Sequence, residues 1–487
     1  MLMRFVYLLL PACLLAVFTN LRAQDANYWS AGYGPAGYFM PGSVIAQNRD
    51  SGVLFYNPAL LVNTAGSTSS LSGTIYQWQS IFMKDGLGTG LHLRSQGTSI
   101  VPMVASHAVP FIKKKLPFTL AYAIVHTPVI DYGVSQQKDV VQDVLNNSYS
   151  PGAETFIGQY KSANRVDHTS FQLADGMRLN KRISVGLTAE AFVRKQSTTV
   201  DYVGRAIMNP AGPDTVLAPI TTVSENYTAS YHQAGFRVRA GLAWELSPSH
   251  HVGFLVTTPT WKVNGKGTII SNVEISNLMV TPAQAINILA STRQSSLKTN
   301  WKNPLSIAAG YTYMHQRGQL YICAEYFAPV KAYQVLKPKP AAFIRPDTGS
   351  SNAAASMLQL NDERRGVLNV GIGASYRIMG STLIFASLRT DFTYDKGING
   401  DVRTVTEGYK VNTTDWDMYH AQVGVSMRKK RYHVRAGLLL SYGSTGRYDQ
   451  TINLDHPDED NFLLGDPQPV NARTIQAGAL ISYIHNF

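Results

Sequence analysis

The residues of this chain that could do chemistry are scattered rather than gathered. No Gly-x-Ser-x-Gly elbow and no His-Glu-x-x-His pair occurs, so neither an activated serine nor a zinc-bound water has its usual scaffold. Gly32-Tyr33-Gly34-Pro35-Ala36-Gly37 has the glycine spacing of a dinucleotide loop, yet no strand leads into it and no helical pattern follows. Asp455-His456-Pro457-Asp458-Glu459-Asp460 could gather carboxylates around calcium, but it lacks the glycine and spacing of an EF-hand and reads as a solvated loop. His250 and His251 adjoin, and neighbours on a strand point to opposite faces, which is poor metal geometry. Cys323 lies in an apolar run and reads as small packing; with Cys13 in a segment expected to be removed, no intramolecular disulfide can form. Serines and histidines are frequent in the loops, but nothing concentrates them near an orienting partner. The expectation is a protein that is not an enzyme and carries no metal or cofactor.

The elements that carry these residues begin with an export signal. Arg4 supplies a positive start, Phe5 to Phe18 is apolar apart from Pro11, and Leu21-Arg22-Ala23 precedes Gln24, so residues 1–23 read as a leader cut after Ala23. Beyond it no run of about 18 apolar residues exists, which leaves no candidate transmembrane helix. Hydrophobic residues make up 45% of the chain and charged residues only 15%, against about 25% charged in an average soluble domain. With 39 Gly and 26 Tyr, that profile suits a surface facing lipid. The net charge of +12 is spread through turns and loops rather than along one helix, which argues against a nucleic-acid groove.

Period-two alternation decides the fold class. From Arg182 to Lys195, Ile183, Val185, Leu187, Ala189, Ala191 and Val193 fall on one side, while Ser184, Gly186, Thr188, Glu190 and Arg194 fall on the other. Asn369 to Ile378 and Thr474 to Tyr483 repeat the pattern. About fourteen such segments occur, among them Ser67 to Met83, Gly97 to Phe111, Leu116 to Tyr132, Val166 to Leu179, Tyr231 to Leu246, His251 to Gly267 and Arg473 to Phe487. Short turns such as Asn180-Lys181 and Met379-Gly380 alternate with loops of about 13 to 35 residues, the asymmetry of a bacterial outer-membrane barrel. The expected organisation is a leader (1–23), a Gly- and Pro-rich segment (24–66) and an all-β antiparallel transmembrane barrel (67–487).

Ala31 to Leu61, reading AGYGPAGYFMPGSVIAQNRDSGVLFYNPALL, resembles the N-terminal hatch of the long-chain fatty-acid and aromatic-hydrocarbon transporter family of the outer membrane. The family's acidic residue and Asn-Pro-Ala box correspond to Asp50 and Asn57-Pro58-Ala59, and HTSFQLADGMRLNKRISVGLTAEAFVRK from His168 resembles its strand units. The resemblance implies fourteen strands, a plug in the lumen made by residues 24–66, and passage of hydrophobic molecules to an opening at a kink in the third strand. Pro128, which removes a ladder N–H, lies in the matching strand. It also implies a loop helix at the outer mouth, for which Thr281 and Pro282 read as N-cap and first residue and Ile286, Leu289 and Ala290 as an apolar stripe.

These readings converge on a passive outer-membrane transporter of hydrophobic compounds, acting as a monomer. Its expected partners are hydrophobic small molecules and outer-membrane lipids, with no nucleic acid. Asn57, Pro58, Ala59 and Pro128 are its expected plug and gating residues. The alternative is a related barrel that serves protein secretion or surface attachment.

Overall fold

The computed structural model describes residues 26–29, 45–47, 53–64, 67–99, 103–113, 116–209, 219–281, 284–345, 355, 357–395, 409–410, 415–429 and 431–486. The leader, the Gly32–Gly37 hexapeptide, Asp50, Pro282 and Phe487 lie outside them.

The alternating segments become strands because their two faces meet different solvents. In Ile183–Ile207, Leu187 and Val193 on one face are 52% and 43% exposed, while Thr188 and Glu190 on the other are 0% and 1% exposed. Apolar side chains outward and polar ones inward invert the pattern of a water-soluble sheet, so the outer face is the one that meets lipid. The barrel comprises β1 (Thr68–Met83), β2 (Met103–Lys113), β3 (Leu116–Gln142), β4 (Glu154–Arg178), β5 (Ile183–Ile207), β6 (Ile220–Ser247) and β7 (His250–Thr257). It continues through β8 (Ser306–His315), β9 (Gly318–Phe327), β10 (Val367–Met379), β11 (Thr382–Asp391), β12 (Met418–Arg428), β13 (Tyr432–Asp449) and β14 (Pro469–Asn486). All fourteen are antiparallel, and β1 pairs with β14 from Thr68↔Asn486 to Met83↔Ala472, which closes the barrel. The short turns are built locally: between β4 and β5 the Asn180 side chain accepts from the Arg182 and Ile183 N–H groups at 2.8 Å each. Between β10 and β11, Gly380 takes a φ of +50°.

Strands β3 to β6 run for 27, 25, 25 and 28 residues, whereas a membrane needs only about 9–11 per strand. Their outer halves therefore rise beyond the apolar band. The expected limits, such as Val166 to Leu179 and Leu116 to Tyr132, stop too early because past the lipid the outward face turns polar while the ladder continues.

Two expectations are corrected here. His251 to Gly267 is not one strand: β7 ends at Thr257, and Trp261–Thr281 leaves it to pair instead with the outer half of β6, Phe236↔Trp261 to Thr222↔Ser276. Pro259, which has no N–H to donate, sits in the break. The stretch after Thr281 is not a helix. Gln284–Lys298 folds back on Trp261–Thr281 as an antiparallel hairpin. Ile288, Ala290 and Thr292 turn to its covered side and Leu289 to solvent, so period two prevails over the helical stripe. Cross-strand partners supplied by tertiary structure outweigh the weak local N-cap signal.

Inside the outer half of the barrel lies an apolar cluster that includes Phe156, Tyr160, Tyr202, Trp416 and Leu454. A second, around Phe192, Tyr227, Trp301 and Leu336, packs against a small sheet of Val330–Leu336, Leu360–Arg364 and Tyr409–Lys410.

Candidate functional site

The Asn-Pro-Ala box lies within the lumen, and its geometry follows from its residue types. Val53–Tyr56 makes one helical turn, and Asn57 at φ −154° caps the 3₁₀ helix Pro58–Asn63, with Pro58 at the first position where its missing N–H costs nothing. The Asn57 side chain accepts from the Ala59 N–H at 3.1 Å and donates to the carbonyls of Ile45 at 2.7 Å and Leu242 on β6 at 3.0 Å. It is fully buried, so one amide ties the lumenal segment both to itself and to the wall.

The wall admits this close approach through inward-facing glycines that the sequence reading passed over. Gly176, Gly186 and Gly241 stand opposite one another on β4, β5 and β6. A Cβ at Gly176 would lie 2.6 Å from the Pro58 oxygen, one at Gly186 2.5 Å from the Pro58 carbonyl carbon, and one at Gly241 2.1 Å from Asn57 Oδ1. Gly253 on β7 and Gly310 on β8 make the same room for Ile45. The signal was present as glycine at inward positions of strands whose other residues alternate, where glycine is otherwise unfavourable.

The start of the described chain is held on the opposite wall. Asp391 on β11 accepts from the N–H groups of Tyr28 at 3.1 Å and Trp29 at 2.8 Å, and the Trp29 indole donates to Glu325 on β9 at 2.7 Å. The ring of Tyr28 stacks on Phe327 with centroids 4.0 Å apart. The segment between Ala26 and Thr64 is thus anchored on β9–β11 at one end and β4–β6 at the other. Beside it, Glu190 on β5 accepts from Arg237 at 2.7 Å and Arg239 at 2.5 Å, and the Arg194 guanidinium covers the Trp301 ring at 4.4 Å. These lumenal charges are paired within the barrel, as a membrane-embedded interior requires.

Pro128 is in the wall, away from the box. Thr119 of β3 pairs with Gly176, whereas Pro128 pairs further out with Asp167, and the β3–β4 ladder shifts register between Pro128 and Ile130. The opposite side of β3 changes at the same place. The β2–β3 ladder runs from Lys113↔Leu116 to Met103↔His126 and stops there. Outward of it, Leu93–Ser99 continues β2 and pairs with β1, but among the described residues no backbone ladder joins it to β3. The Gly133 N–H to Ser95 Oγ at 3.0 Å and the Gln136 side chain to the His92 carbonyl at 3.3 Å bridge this seam. Leu93, Tyr132 and Val134, on the two sides of the seam, face inward and belong to the apolar cluster that contains Phe156, Tyr202 and Trp416.

No protein-family model matches the chain, and no curated protein matches it in sequence. Among solved structures it is similar to a FadL homologue from Pseudomonas aeruginosa, at 12% identity over 96% of this chain and 100% of that one, with a TM-score of 0.55. It is similar also to the Ralstonia pickettii toluene transporter TbuX, at 14% identity over 94% and 98% with a TM-score of 0.55. The Pseudomonas putida toluene transporter TodX gives 11% identity over 96% and 99%, with a TM-score of 0.54. The chain shares the fold of these transporters. At such identities the likeness is one of architecture, and it spans nearly every element described above.

The structure therefore brings Asn57, Pro58 and Ala59 together on the glycine row and places Pro128 apart from them, in the wall. Asp455 is held by Lys138 Nζ at 2.7 Å and by the Thr89 N–H at 2.5 Å, which makes it a tie between outer loops. His250 bonds Tyr311 through Nδ1 at 2.6 Å, and Cys323 is a buried free thiol.

Proposed function

We propose that this protein is an outer-membrane channel for passive uptake of small hydrophobic molecules, with Ala26 to Thr64 as its plug and the seam beside Pro128 as its lateral exit. The observation that carries the reading is a single connected apolar cluster. It runs from the outer loops, at Trp416 and Leu454, to the inner face of the β2–β3 seam, at Leu93, Tyr132 and Val134. Beneath it Tyr28 and Trp29 hold to β9 and β11, and Asn57-Pro58-Ala59 packs against β4–β6. A lipophile leaving through the wall enters lipid without crossing the aqueous periplasm as a free solute, so the transfer free energy of its own apolar surface drives the step. The names of the structural neighbours, toluene transporters among them, support a hydrophobic cargo.

A reversible thiol block tests the exit. Gly133→Cys places a single thiol on the outward side of the seam, where a Cβ meets nothing within 4 Å, whereas Cys323 is buried. A bulky methanethiosulfonate forms a mixed disulfide with this thiol and releases sulfinate. Modification is expected to lower uptake of labelled toluene into cells or proteoliposomes at least about tenfold, and reduction to restore it, because the attached group obstructs the opening without loss of fold. Equal uptake by the modified and reduced forms would remove the lateral route from this reading.

A further inference from the structure

The outer surface of the wall carries a basic cleft that transport does not use. Across four adjacent strands the register sets Lys195 opposite His232, His232 opposite Lys266, and Lys266 opposite Lys298. All four are exposed. Arg165 on β4, 68% exposed, adds a further cation, and the cleft of 510 Å³ between these strands is lined by Arg165, Lys195, His232 and Lys266. Two carboxylates stand at the Arg165 end: Asp167, opposite Lys195 and 3.5 Å from Arg165 Nε, and Asp131 on β3, opposite Arg165. At the other end Lys266 and Lys298 face each other with no carboxylate opposite either in these ladders, and like charges directly opposite one another weaken a sheet, so this end of the row gains from an added anion.

Its position says which anion. Toward the periplasmic end of the same strands, the outward side chains are Phe171, Val193, Phe236 and Trp261, each more than 40% exposed, with the Phe236 and Trp261 rings 5.1 Å apart. Exposed aromatic rings of this kind mark the rim of the apolar band, so the cations stand at headgroup depth. Several cations converging on one cleft suit a phosphate oxyanion. We propose that this cleft binds the net-anionic, phosphate-bearing headgroup of a lipid of the surrounding outer leaflet, whose acyl chains lie along Phe171, Val193, Phe236 and Trp261.

The test uses the full-length folded protein in detergent, titrated with lipid A, phosphatidylcholine or inorganic phosphate and read by native mass spectrometry. The wild type is expected to retain lipid A in preference to phosphatidylcholine. The triple variant Arg165→Gln, Lys195→Gln, Lys266→Gln is expected to bind lipid A about a hundredfold more weakly, at roughly fivefold per removed charge. Lys195→Gln alone should show about fivefold, and Asp167→Asn, which removes the opposing carboxylate, should bind more tightly than wild type. Undiminished lipid A binding by the triple variant, or by Lys195→Gln should the triple variant not fold, overturns the proposal. So does equal retention of phosphatidylcholine, which marks a purely apolar annulus, or displacement of lipid A by equimolar inorganic phosphate, which marks a simple anion site.

Discussion

Asn57 ties the lumenal segment to itself and to β6 through one buried amide. Asn57→Ala leaves the Ile45 and Leu242 carbonyls and the Ala59 N–H without their partner, at about 1–3 kcal/mol for each buried group left unbonded. The segment should then loosen from β6. Single-channel conductance in a planar bilayer is expected to rise while the heat-resistant gel mobility of the barrel stays unchanged. Gly241→Ala attacks the same contact from the wall, since its Cβ would meet Asn57 Oδ1 at 2.1 Å, and overpacking of this kind costs about 1–3 kcal/mol. If both variants keep the wild-type conductance, the segment is not held by this contact. In the outer loops, Asp455 titrates below its ordinary range: burial opposes this, but the Lys138 ammonium and the Thr89 N–H prevail. A depressed pKa in the folded state means the tie is intact at neutral pH and is lost as pH falls through that lowered value. The protection of the Asn453–Gly465 amides, taken relative to the intrinsic exchange rate at each pH, is expected to fall in acid in the wild type, whereas Asp455→Asn should already have lost it at pH 7.

At the scale of the element, β3 does most to shape the wall. Among the described residues it pairs with β4 along almost its whole length but with β2 up to His126, so its outer half has a ladder on one side and, on the other, side-chain bridges such as those of Ser95 and Gln136. Pro128 was legible as a weak point because proline cannot donate to a ladder. The seam itself was not, because nothing in Leu93–Ser99 reveals that it follows β1 and parts from β3. Val134→Asp sets a carboxylate in the apolar lining beside the seam. Uptake of toluene is expected to fall at least about tenfold, since an unpaired charge there disfavours an apolar guest. Assembly should be normal by gel mobility, and unchanged uptake would place the route elsewhere. The hairpin after Thr281 teaches the converse lesson. Thr281, Ile286, Leu289 and Ala290 fit a helix by spacing alone, yet the outer half of β6 offered an open edge and Trp261–Thr281 took it, which made Gln284–Lys298 the next strand.

For the molecule as a whole, fourteen strands, their order and the short and long ends followed from the sequence. A strand facing lipid on one side and a packed lumen on the other must alternate at period two, and Ile183 to Ala191 does so without a break. Asn57-Pro58-Ala59 was singled out by its resemblance to a family hatch, and only the structure shows Asn57 as a cap with Pro58 at the first helical position. The rest depends on partners far apart in the chain. Gly176, Gly186 and Gly241 look like ordinary small residues until the registers of β4, β5 and β6 align them beneath Pro58. Lys195, His232, Lys266 and Lys298 are ordinary surface charges until the same registers set them side by side. The sequence by itself determined which face of each strand meets lipid, since that depends only on the hydrophobicity of alternate side chains. Tertiary structure alone decided how far each strand rises above the membrane, where the wall parts and which residues share a cleft, because backbone hydrogen bonds carry no side-chain code and any extended segment can accept them.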